Sequence, residues 1–105
     1  GTMCARRLSP DLQRGVGEPH VLFSASDAPW PGPVPQDDKP RSFVTDGPFF
    51  HRAQNGELVM FWSSRGDFGY DTGVARSQSG SVLGPWTHDP EPLFGENGGH
   101  VMLFT

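Results

Sequence analysis

The chain has 105 residues and a formal net charge of −4 at pH 7. This length supports the core of one small domain and is short for an enzyme with a deep substrate cleft. The acidic balance excludes the clustered basic surface that nucleic acids require. The chain also contains no apolar run close to the roughly 18 residues of a membrane span.

Glycine and proline are abundant, with 14 and 11 copies, and they fall between short runs rich in Val, Leu, Phe, Trp and Met. Turns punctuate short strands in this way. Eight Phe and three Trp argue against a disordered chain. We therefore predict an all-β fold in which residues 1–105 form a single domain, with Gly1-Thr2 as a tag remnant.

The first half of the chain contains two predicted strands and a long loop. The strands cover residues 4–8 and 20–23, on either side of a turn opened by Ser9-Pro10. Residues 24–41 carry five prolines around Trp30 and are predicted to be a loop. A structureless stretch of this length is usually either functional or flexible.

The second half shows a denser pattern of short strands. Gln54-Asn55-Gly56 is a hairpin signal, because Asn and Gly accept the positive φ angles of a type I′ turn. Strands are predicted on both sides of this turn and further along the chain, at residues 42–44, 48–52, 57–64, 73–77 and 100–104, with short edge segments at 86–88 and 92–94.

Several stretches in order resemble glycoside hydrolase family 43. They are Val44 to Arg52, Gly56 to Ser64, Gly73 to Ser81, Leu83-Gly84-Pro85-Trp86 and Gly98-Gly99-His100. The resemblance implies a five-bladed β-propeller whose blades are four-stranded antiparallel sheets. The chain would then be an all-β partial propeller of about two blades.

The resemblance also implies a chemistry. Members of this family are inverting glycosidases that act on arabinose- or xylose-containing glycans through three carboxylates. The family's general acid is a Glu in a Glu-Gly-Pro element, which maps to Asp46-Gly47-Pro48 here. Asp46 is one methylene shorter than Glu, and it also fits an ordinary turn position. The base and the third carboxylate are expected upstream of Cys4.

Four further residues are predicted to contact substrate: His100, Phe68, Tyr70 and Trp62. His100 matches a family histidine near the propeller axis that helps to hold a metal ion or a water. One histidine supplies a single ligand, so no cofactor is expected, and Ca²⁺ beside His100 is the disfavoured alternative. Aromatic faces suit sugar rings, although core packing is the more common role for such residues. Trp62 alternates with Phe61 along its predicted strand, so one of the two faces the packed side. Phe68 and Tyr70, in the glycine-rich loop predicted at 64–73, are the favoured ligand contacts.

The function predicted from these residues is that of a fragment of a family 43-like arabinofuranosidase or xylosidase without catalytic activity alone. Two alternatives remain: a non-catalytic carbohydrate-binding or structural protein, and an oligomer whose site is completed between subunits. Open sheet edges invite pairing, so a homodimer or higher homo-oligomer is expected. The expected partner is a pentose-containing glycan, with neither nucleic acid nor membrane. The compartment is unknown, and cytoplasmic is the default.

Overall fold

The computed structural model describes residues 1–33, 43–67 and 69–105. Six strands and one short 3₁₀ turn account for the regular structure of these residues. The strands are β1 (Thr2–Leu8), β2 (Gly15–Ser24), β3 (Asp46–Arg52), β4 (Leu58–Gly66), β5 (Gly69–Ser77) and β6 (Trp86–His88), and the 3₁₀ turn is Ala25–Asp27. Within the described ranges, we find no helix with the length and hydropathy needed to span a bilayer.

The strands form two antiparallel sheets. One sheet pairs β1 with β2, and the other has the order β3-β4-β5-β6, so that each strand lies beside its neighbour in sequence. Such an up-and-down order needs only short connections between strands. The predicted all-β class with antiparallel sheets is confirmed, and one four-stranded sheet beside two further strands agrees with a partial propeller.

Some predicted elements differ from the observed ones. The strand predicted at 100–104 is wrong, because these residues form no strand and the side chain of Phe104 is 89% exposed. Of the strand predicted at 42–44, residues 43–44 are not a strand and residue 42 lies outside the described residues. The predicted loop 24–41 contains the 3₁₀ turn, and its residues 34–41 lie outside the described part.

The hairpin between β3 and β4 forms where the sequence predicts it, but its turn is of another type. Gly56 donates its N–H to the carbonyl of Ala53 over 2.9 Å, and Ala53 donates to Glu57 over 2.9 Å. The positive φ, +86°, falls on Gly56 and not on Asn55. This is a tight turn followed by a glycine bulge, so the type I′ prediction is wrong. Asn55 instead accepts a hydrogen bond from the N–H of Glu57 at 3.0 Å.

The main core lies between the two sheets. Trp62 and Met60 are fully buried on one face of β4, and Phe23 of β2 packs against Trp62 with 5.1 Å between the ring centroids. His88 of β6 completes this aromatic layer, with its ring 4.6 Å from that of Phe23 and 5.6 Å from that of Trp62. The layer joins the two-stranded sheet to the four-stranded sheet.

The opposite face of β4 carries a second cluster. Val59, Phe61 and Val74 are buried there, and Phe49 and Val101 pack against them. Both faces of β4 are therefore covered, which explains why seven consecutive residues of this strand, 58–64, are buried. This second face also carries the candidate site.

Candidate functional site

Three predicted site residues meet at one end of the four-stranded sheet. The hydroxyl of Tyr70 donates to Oδ2 of Asp46 over 2.6 Å. Nε2 of His100 lies 3.2 Å from Oδ1 of the same carboxylate, and the rings of Tyr70 and His100 meet edge to face at 5.7 Å. The side chains of Asp46 and His100 are about half exposed, at 51% and 57%. A ligand can therefore reach the group, which we call the Asp46 cluster.

Strand pairing places two of these residues. Asp46 opens β3 opposite Ser63 of β4, and Tyr70 lies near the start of β5 opposite Arg65. Ser63 and Arg65 are two residues apart, so they project from the same face of the sheet, as do their cross-strand partners. The register of β3 and β5 on β4 thus brings a carboxylate and a phenol together.

Gly47 leaves room for the third residue. Its φ is +51°, and a Cβ at this position would lie 2.0 Å from Cδ2 of His100. A side chain here would therefore push the imidazole away from Asp46. The N–H of Gly47 also donates to Oδ1 of Asp46 over 2.8 Å. The Asp-Gly pair both positions the carboxylate and admits the histidine.

The segment that carries His100 crosses the sheet as an irregular loop. Phe94 bridges to Thr72 of β5, and Asn97 accepts a hydrogen bond from the N–H of Tyr70 at 3.3 Å. Asn97 and His100 have positive φ, at +65° and +57°. Non-glycine residues seldom adopt this conformation, and it persists where the surrounding contacts fix it.

The cluster favours an ionised Asp46. The hydrogen bond from Tyr70, followed by those from Gly47 and His100, lowers the pKa of Asp46. Burial and the adjacent carboxylate raise the pKa of Tyr70 to about 12. A general acid must hold its proton at the working pH, which requires a raised pKa. In this arrangement Asp46 is instead a charged hydrogen-bond acceptor.

Apart from the Asp46 cluster, the described residues form a cleft of about 550 Å³. Its lining includes Trp30, Pro31, Asp71, Pro90 and Pro92. Asp71 is only 3% exposed, and its Oδ1 has no hydrogen-bond partner among the described residues. Burial, with a contribution from the charge of Asp67, raises the pKa of Asp71.

The other two predicted substrate contacts are Trp62 and Phe68. Trp62 is 0% exposed in the core between the sheets, so its prediction as a sugar contact is wrong: no part of the indole is free to stack on a ligand. Phe68 lies outside the described residues. The described residues contain no group of three or more His, Cys, Asp or Glu side chains arranged to hold a metal ion.

Sequence reasoning missed two hydroxyl residues behind the cluster. Ser63 and Thr72 face each other on β4 and β5, and both are fully buried. Ser63 accepts a hydrogen bond from the N–H of His100 at 2.9 Å. For Ser63 the sequence signal is a polar residue directly after the apolar run 58–62, which does not identify a partner. Thr72 lies in a strand of mixed polarity and has no such signal.

A comparison with solved structures finds one that is similar to this chain. The chain is similar to the crystal structure of an endo-arabinase from Bacteroides thetaiotaomicron VPI-5482, with 46% sequence identity and a TM-score of 0.88. The similarity covers 96% of this chain and 36% of the endo-arabinase chain. This chain thus spans about a third of the length of that protein. No protein-family model matches the chain, and no curated protein matches it either.

Proposed function

We propose that the chain is part of a glycoside hydrolase family 43-like protein that binds an arabinose-containing glycan at the Asp46 cluster. The observation that carries this proposal is the convergence of Tyr70 and His100 on Asp46. The similarity to an endo-arabinase over 96% of the chain supports the choice of sugar. Asp46 takes the general-acid position of the family, while Tyr70 and His100 contact the substrate.

Hydrolysis by this chain alone is not expected. Inverting hydrolysis needs a protonated acid and a carboxylate about 6.5 to 9.5 Å away that activates water. The donors around Asp46 lower its pKa and so favour the charged form over the protonated one. The same charge suits binding, because a carboxylate accepts hydrogen bonds from sugar hydroxyls. The lowered pKa therefore favours the non-catalytic, sugar-binding alternative for the isolated chain.

Calorimetry with arabinotriose tests the proposal. Wild type is expected to bind, and Asp46→Asn is expected to lose about ten-fold or more in affinity, since a charge-assisted hydrogen bond contributes about 1.5–3 kcal/mol. The matched control is Asp11→Asn. Asp11 is an exposed carboxylate in the turn after β1 that also accepts bonds from a hydroxyl and an N–H, those of Ser9 and Gln13.

Two outcomes would contradict the proposal. If wild type binds no arabinose oligosaccharide at millimolar concentration, the sugar assignment fails. If Asp11→Asn weakens binding as much as Asp46→Asn does, the site is elsewhere. Release of arabinose from an aryl arabinofuranoside that depends on Asp46 would restore a catalytic function to the chain.

We also propose that the chain self-associates through the two-stranded sheet. Each of its strands pairs on one side only in the described part of the chain, and Val21 of β2 is 66% exposed. Unpaired edges with apolar side chains favour strand pairing between chains. Sedimentation velocity is expected to show a dimer that Val21→Lys dissociates. Leu12→Lys, at an apolar turn residue that is 70% exposed, is the control and should leave the dimer intact.

A further inference from the structure

The buried hydroxyls of Ser63 and Thr72 connect the core of the sheet to the Asp46 cluster. Their oxygens are 3.3 Å apart, and Thr72 donates to the carbonyl of Gly98 over 3.0 Å. Ser63 accepts the N–H of His100 at 2.9 Å. With Ser63 donating to Thr72, one continuous chain runs from the His100 N–H through both hydroxyls to the Gly98 carbonyl. Every hydroxyl hydrogen in this chain then has an acceptor.

Burying these groups has a cost that the chain of hydrogen bonds offsets. A buried hydroxyl without a partner costs roughly 1–3 kcal/mol, whereas an apolar residue in the same place would pack without this penalty. Ser63 and Thr72 are 0% exposed and stand on the face where Val59, Phe61 and Val74 are buried. Valine or alanine at these positions would pack equally well but could not form the hydrogen bonds to the backbone of Gly98 and His100.

The two hydroxyls hold the backbone of residues 98–100 in an unusual conformation. His100 has φ +57°, a conformation that costs about 1 kcal/mol or more for a residue with a side chain. Gly99 lies so close to Tyr70 that a Cβ would meet ring atom Cδ1 at 2.2 Å. The loop therefore packs directly on the sheet at Gly99. Thr72 fixes its backbone at Gly98, and Ser63 fixes it at His100. The direction of the His100 side chain follows from this anchoring.

We infer that Ser63 and Thr72 are positioning residues that hold His100 against Asp46 and so keep the sugar site assembled. They act through the backbone of residues 98–100 and do not touch the ligand themselves. This inference rests on the proposed function for its ligand, but the geometry of the Asp46 cluster can be measured without any sugar.

A matched pair of variants separates positioning from simple packing. Ser63→Ala removes the acceptor of the His100 N–H. Ser64→Ala removes the next hydroxyl along β4, which is also 0% exposed but has no hydrogen-bond partner among the described residues. Ser64 projects from the opposite face of the strand, so its loss leaves the Asp46 cluster untouched.

The main readout is the pKa of Asp46, followed by carbon-13 NMR of its carboxyl group in the sugar-free protein. Ser63→Ala is expected to raise this pKa part of the way to the ordinary value, because the contact with His100 is lost while those with Tyr70 and Gly47 remain. Ser64→Ala is expected to leave it unchanged. Affinity for arabinotriose should fall about ten-fold in Ser63→Ala alone, the equivalent of one hydrogen bond.

Thr72 supplies the second test in case Ser63→Ala fails to fold. Thr72→Val removes the hydroxyl at nearly constant volume and is expected to raise the pKa of Asp46, as Ser63→Ala does. Thr72→Ser keeps the hydroxyl and is expected to leave this pKa at its wild-type value. Equal pKa values for Asp46 in wild type, Ser63→Ala and Thr72→Val would overturn the inference. A shifted pKa in a protein that binds no sugar would leave the positioning role standing and refute the proposed ligand.

Discussion

Replacing His88 with phenylalanine tests how the two sheets are held together. The His88 ring lies in the aromatic layer between Phe23 and Trp62, and neither ring nitrogen has a hydrogen-bond partner among the described residues. An unpartnered buried polar group costs about 1–3 kcal/mol. Phenylalanine removes this cost and keeps an aromatic ring in place. Its ring is slightly larger, so crowding in the core offsets part of the gain in stability. We expect His88→Phe to stabilise the protein by about 1 kcal/mol at pH 8.

The pKa of His88 also determines how the stability of the protein depends on pH. Burial lowers the pKa of His88, while the charges of Asp27 and Asp89 oppose this effect. The unfolded chain therefore binds a proton at a higher pH than the folded one does. Stability is fully present above the unfolded pKa of about 6.5 and falls as the pH drops below it, by up to about 1.4 kcal/mol for each unit of pKa depression.

Urea unfolding at pH 8, 6.5 and 5 measures both effects. The stability gained by His88→Phe should increase from pH 8 to pH 5, because only wild type must protonate a buried imidazole on acidification. His20→Gln is the control, since His20 is exposed on β2 of the same protein. If wild type and His88→Phe lose stability in parallel below pH 6.5, another group governs the acid response and the reasoning is refuted.

Three further predictions concern single side chains. Trp62→Ala should destabilise the protein by about 3–5 kcal/mol in urea unfolding, as expected for a fully buried indole, and a cost below 1 kcal/mol would contradict the core assignment. Gly47→Ala should displace His100 and raise the pKa of Asp46 in an NMR titration, because the new methyl would lie 2.0 Å from the imidazole; an unchanged pKa would refute the contact. Asp71→Asn should be more stable than wild type at pH 7, and this difference in stability should disappear toward pH 3. The reason is that the pKa of Asp71 is raised, so wild type loses stability as the pH rises above 3.8. Thermal melts that show the same pH dependence for both proteins would argue against a buried charge at Asp71.

Much of the fold could be predicted because its strands alternate with strong turn signals. The hairpin at Asn55-Gly56 and the strand at 57–64 depend on local sequence, and both form. The final strand predicted at 100–104 does not form, since an apolar run alone cannot show whether a neighbouring strand exists to pair with it. Local composition also could not reveal the 3₁₀ turn Ala25–Asp27 inside the predicted loop.

The candidate site was predictable to a smaller extent. Asp46 and His100 were chosen through the family resemblance, and Tyr70 through its place in a glycine-rich loop. Their mutual contacts depend on strand register, which the sequence does not specify. Trp62 was misassigned because β4 is covered on both faces, so that alternation with Phe61 does not identify a free side. Ser63 and Thr72 escaped notice because their partners are backbone groups 26 to 37 residues away.

The anchoring of the His100 loop by Ser63 and Thr72 has a consequence for how the protein reaches its native state. The hydroxyls that fix the loop are side by side only after β4 and β5 have paired, and the loop that they fix follows much later in the chain. Contacts between distant residues carry a loop-closure cost that earlier pairing reduces. The four-stranded sheet should therefore form before the Asp46 cluster is complete. A sheet formed without the last dozen residues would hold the carboxylate of Asp46 and the phenol of Tyr70 but would lack His100.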